Sequence, residues 1–149
     1  MKNKNLASTL EEIKKINISG KSGYCLAKNR KLIEDELEAI NETIKALPDF
    51  ETYEKERITL LEAHASKDEQ DKPIIENNAY KIENQELWEL DIKELQEKHK
   101  ETIENRKKQI KDFNALMEEE TTLVFHKITE DQIPDSATAS EVYTLLKFI

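Results

Sequence analysis

The chain has 149 residues, 37% of them charged and 37% apolar, with two glycines, three prolines and one cysteine. That length allows one domain with a modest core. Scarce Gly and Pro beside abundant Glu, Lys, Leu and Ile is a composition of long helices, and it argues against a sheet-rich fold, which needs many tight turns.

The net charge of −9 is unevenly spread. Residues 1–31 hold eight Lys or Arg against two Glu, net +6, which leaves −15 for the rest. An acidic body repels nucleic acid, which is therefore not an expected partner; the basic end is suited to an anion. Cys25 is alone, so no intrachain disulfide is possible, as in a reducing cytosol. No apolar run has signal-peptide or membrane-span length. The expectation is a cytoplasmic protein with no membrane contact.

Leu6, Leu10 and Ile13 recur at helical spacing and predict a short helix over 6–16. "ISGKSG" (18–23) interrupts it. A first long arm spans 22–65, with Ser22 as its cap and a stripe of Leu26, Ile33, Leu37, Ile40, Ile44 and Leu47. This is a short heptad seam that needs a partner helix. Pro48 kinks or stops the arm, and one bent helix or two are both open at this point.

Residues 72–82 change character. Ile74 and Ile75, the Asn77-Asn78 pair, then Tyr80 and Ile82 predict a small β-hairpin, because Asn tolerates the left-handed backbone of a tight turn. Asn84 caps a second arm over 85–117, whose stripe includes Trp88, Ile92, Leu95, His99, Ile103, Ile110, Phe113 and Met117. At ~1.5 Å per residue such a helix is roughly 50 Å long, enough to return along the first arm. "TTLVFHKI" (121–128) is β-branched and aromatic and predicts a strand. Thr138 and Glu141 have capping-box spacing and open a last helix with Val142, Leu145, Leu146 and Ile149 on its apolar side. The expected fold is a single mainly α domain. It is a long antiparallel, coiled-coil-like helical hairpin with a small β element and a C-terminal helix.

Gly20-Lys21-Ser22 matches the end of a P-loop, but Lys15 stands where that motif needs its first glycine, and the preceding segment is helical rather than a strand. The glycines are better read as ending one helix and starting the next. A weaker expectation survives, an anion site at a helix start built from Lys21, Ser22, Lys28, Asn29 and Arg30. His64, His99 and His126 have no zinc-ligand spacing, so no metal is expected. Cys25 lacks a partner histidine in sequence and reads as a small core residue. The 106–111 basic run is interrupted by Ile110 and flanked by Glu101 and Glu104, and reads as a solvated helix face. Trp88, His99, Phe113, Leu145 and Ile149 are core or interface candidates. A thin hairpin leaves apolar surface at its sides, which predicts a homo-oligomer.

The segments "GYCLAKNRKLIEDELEAI", "KDEQDKPIIENNAYKI" and "FNALMEEETTLVFHKITEDQIP" resemble a family of small phage and prophage proteins of unknown function, over about residues 23–149. The resemblance implies a phage origin and transfers no catalytic residue. The expected function is therefore a non-catalytic phage accessory protein without cofactor, an oligomeric inhibitor of a host defence protein. Two alternatives are a sequestrant of a nucleotide-like anion at the basic end, and a virion assembly protein.

Overall fold

Apolar spacing decides the first helix: Leu6, Leu10 and Ile13 are buried together on one side of α1 (Leu6–Lys14), which follows a 3-10 turn at Asn3–Asn5. A computed structural model describes every residue, Met1–Ile149. The remaining elements are α2 (Gly20–Ile44), α3 (Pro48–His64), β1 (Ile75–Glu76), β2 (Ala79–Tyr80), α4 (Gln85–Lys98), α5 (Lys100–Glu118) and α6 (Ala139–Leu145). The protein is mainly helical, with one small antiparallel sheet and a C-terminal helix. The chain forms two compact units, residues 1–44 with 111–149, and residues 45–110. Helix α5 contributes to both.

In the first unit, α2 presents Leu26, Ile33 and Ile40 at seven-residue spacing to a core shared with α1, and with Ile128, Leu145 and Phe148. Phe113, Leu116 and Met117 of α5 pack against that core. The N-terminal segment is tied down: Asn3 N–H donates to the Glu119 carbonyl (3.0 Å), and Thr121 N–H to that of Met1 (2.8 Å). The Asn3 side-chain amide donates to the Leu116 carbonyl (2.8 Å), satisfying one of the orphan acceptors at the end of α5.

Residues 121–128 are not the strand that their composition predicts. Burial alternates as in a strand, with Leu123 and Phe125 half-buried and Val124 and His126 exposed, but no ladder forms along them. The reason is the neighbour. The segment lies on helix α2, which has no backbone groups to spare, so side chains and chain ends supply the hydrogen bonds instead. Ile128 N–H donates to the Phe148 carbonyl (2.9 Å), and Phe125 packs edge-on against Phe148 (5.2 Å). The capping box at Thr138 and Glu141 forms as expected.

In the second unit, α3 and α4 form an antiparallel hairpin. The stretch 22–65 resolves into two helices. Leu47 is extended (ψ 153°) and Pro48 occupies the first turn of α3, where its missing N–H costs nothing. The connection to α4 carries the predicted hairpin, Ile75 opposite Tyr80 and Glu76 opposite Ala79. Asn77 and Asn78 both have positive φ, 52° and 62°, as a two-residue primed turn requires. Asn84 caps α4 by accepting from Leu87 N–H (3.1 Å). The predicted arm over 85–117 breaks once, at His99 (φ −107°, ψ 20°).

Candidate functional site

The two histidines of the second unit clasp its helices in a reciprocal way. His64 of α3 meets Asp91 of α4 (Nε2 to Oδ2, 2.9 Å), and His99 at the end of α4 meets Glu56 of α3 (Nε2 to Oε2, 3.0 Å). Each imidazole also packs on an aromatic ring, His64 on Trp88 (5.8 Å) and His99 on Tyr53 (5.5 Å). The His64 and His99 side chains are only 11% and 14% exposed. Lys98 Nζ adds a second donor to Glu56 (2.8 Å), and this bond, followed by that from His99, holds the Glu56 carboxyl below the usual carboxylate range. The two crossed pairs fix the register of α3 against α4.

Beside this clasp lies an open groove of about 720 Å³ between α3 and α4. Leu60, Ala63 and Leu95 form its apolar floor. Lys55 and Lys98 stand at the end near Glu56, and Glu94 and Asp91 toward the end near His64. Such a groove, apolar inside and charged along its rim, is suited to receiving an amphipathic helix. No group of three or more His, Cys, Asp or Glu side chains converges to hold a metal ion.

The residues expected to bind an anion are not brought together. Asn29 and Ser22 are fully buried and turned toward the C-terminal segment: Asn29 bonds the His126 backbone, and Ser22 donates to the Gln132 carbonyl. Lys21, Lys28 and Arg30 stay on the exposed side of α2. Lys28 lies over the Tyr24 ring (5.6 Å) and Arg30 bonds Glu34 one turn on (2.9 Å). A helix places positions 22 and 29 on one face and 21, 28 and 30 to its sides, so burying the first pair necessarily separates them from the rest.

The glycines serve the turn. Gly20 has φ +75°, and a Cβ at Gly23 would collide with the Ile18 carbonyl oxygen.

Of the interface candidates, Leu145 is wholly buried in the first unit's core and is removed from that list. Phe113 packs on the same core, and Trp88 and His99 are spent in the α3–α4 seam. Ile149 remains 44% exposed. Cys25 is buried core, as expected. The sequence reading missed the groove. Lys55, Thr59 and Ala63 at four-residue spacing mark a helix side lined by short or flexible groups, and that spacing was its only visible sign.

Comparison with protein-family models, with curated proteins and with solved structures gives no match to this chain. No helix is long and apolar enough to cross a membrane.

Proposed function

We propose that this protein acts by binding other proteins, as an oligomeric phage accessory factor that inhibits a host defence component in the host cytosol. It performs no chemical step of its own. The observation that carries this reading is the outer side of the C-terminal helix. There α6 and the turn after it bury Thr144, Leu145 and Phe148 but leave Tyr143, Leu146 and Ile149 at 66%, 52% and 44% exposure. Three large apolar residues within seven positions exceed the scatter of single exposed hydrophobics and suit a protein contact. The resemblance of residues 23–149 to small phage proteins supports the phage setting.

The test is capture of tagged protein from host cells, with mass spectrometry of bound proteins and small molecules. A stoichiometric host protein, lost on Tyr143→Asp with Leu146→Asp, supports the reading. A co-purifying nucleotide and no protein overturns it in favour of an anion sequestrant.

A further inference from the structure

The second unit has little core of its own. Helix α4 has no buried residue, and α3 has only Tyr53. Amphipathic helices in proteins draw most of their stability from packing, and a two-helix layer packs each helix on one side only. The groove beside the His–carboxylate clasp therefore calls for an occupant, and its charge order says which.

The crossed pairs His64–Asp91 and Glu56–His99 set the levels along the groove. In this register the lysines Lys55 and Lys98 lie at one end, Leu60 and Leu95 lie level with each other in the middle, and Glu94 and Asp91 follow toward the other end. Glu56 also lines the lysine end, paired with Lys98, so the rim runs from net +1 at that end to −2 at the other across an apolar centre. A two-fold axis through the Leu60–Leu95 level, perpendicular to the groove, reverses that order. It lays the lysine end of one copy on the acidic end of the other and brings the leucines together at the axis. Self-complementarity of this kind is what an isologous contact requires.

We infer that the α3–α4 groove is the subunit interface of a homodimer, in which two copies of the second unit complete a four-helix bundle. The inference deepens the proposed function, on whose oligomeric reading it rests. It assigns the groove to a second copy and leaves the C-terminal helix for the host target.

The test is sedimentation of the full 17.4 kDa chain and of two charge variants. One variant, Lys55→Glu, makes both ends of the groove net acidic, because Glu56 also lines the lysine end, and it leaves the Lys98–Glu56 bond in place. The other, Glu94→Lys, makes the acidic end net neutral. Neither change touches a buried side chain, and circular dichroism checks the fold. The wild type is expected at twice the chain mass. Each variant alone should dimerise about tenfold or more weakly, because like charges then face each other or attraction is lost. An equimolar mixture should recover heterodimer, since the two-fold then lays the unaltered acidic end of the Lys55→Glu chain on the unaltered lysine end of the Glu94→Lys chain and leaves its altered end facing a neutral one.

A wild type that stays at 17.4 kDa overturns the inference, as does a dimer indifferent to both variants. If the chain is monomeric and the same reversals abolish host capture, the groove holds a host helix; the homodimer and the oligomeric part of the proposed function are then overturned, while binding of a host protein stands. A charge-sensitive dimer that captures no host protein does the opposite.

Discussion

Asn29 bonds the backbone of His126 with both ends of its side-chain amide. Its Oδ1 accepts from His126 N–H (2.7 Å) and its Nδ2 donates to the His126 carbonyl (2.9 Å). Asn29 is completely buried in helix α2, and it does for the extended segment what a neighbouring strand does in a sheet: it satisfies one residue's donor and acceptor at once. Ser22, seven residues earlier on the same face, repeats the device by donating to the Gln132 carbonyl. Together they fasten the C-terminal segment to α2.

Asn29→Ala removes both bonds and leaves a small cavity. The expected cost is about 1–3 kcal/mol, the range for orphaning buried polar groups. Asn29→Asp keeps an acceptor, loses the donor and buries a charge, so it should be worse. Urea midpoints at constant slope check the order, and the His126 amide should exchange faster with solvent in both variants.

The glycine pair makes a second prediction. Gly20→Ala meets open space and bears only the left-handed backbone, about 1 kcal/mol. Gly23→Ala drives a methyl into the Ile18 carbonyl, which is backbone and yields only if α2 moves, for about 1–3 kcal/mol. A phosphate-binding loop would be harmed at both positions through ligand affinity, with little change in stability. Thermal unfolding of the two variants tells these apart.

Glu118 anchors the N-terminal segment by accepting from Lys4 (2.8 Å) and Lys2 (3.0 Å). These bonds, Lys4 first, hold its carboxyl below its ordinary value of 4.5. The folded state therefore binds this proton more weakly than the unfolded chain does. The stabilisation is complete above the unfolded pKa and disappears as pH falls through the folded one. Glu118→Gln should lower the urea midpoint at pH 7, with the difference shrinking below about pH 4. Added salt should shrink it too, because all three side chains are about half exposed.

The Asn77-Asn78 turn has positive φ at both positions. Asn78→Val places a β-branched residue where only Gly, Asn and Asp are at ease, and should cost about 1 kcal/mol or more by opening the hairpin. Asn78→Gly should be neutral or slightly stabilising. Amide exchange at Lys81, whose N–H donates to the Ile74 carbonyl (2.9 Å), reports the hairpin directly.

Several elements were legible because their cause is local. The α1 stripe of Leu6, Leu10 and Ile13, the Asn84 cap, the Thr138–Glu141 capping box and the Asn-Asn turn each depend on residues within a few positions of one another. The stop at Pro48 is of the same kind, since the ring restricts the residue before it. Residues 121–128 misled for the converse reason. Their side chains favour an extended backbone and their burial alternates as on a strand, but a strand also needs a ladder partner, and that partner is not encoded in the segment.

The sequence by itself determined the helical class, the punctuation between helices and the faces that must be buried, because spacing, caps and turn chemistry act over short range. Tertiary structure alone decided that Ser22 and Asn29 are hidden fasteners rather than ligands of an anion. It also decided that His64 and His99 cross over to Asp91 and Glu56, and that a charged groove opens beside them. Those pairs are 27 and 43 residues apart in the chain. Which residues meet at such separations follows from the packing of whole helices, and no local preference of a histidine or a carboxylate specifies it.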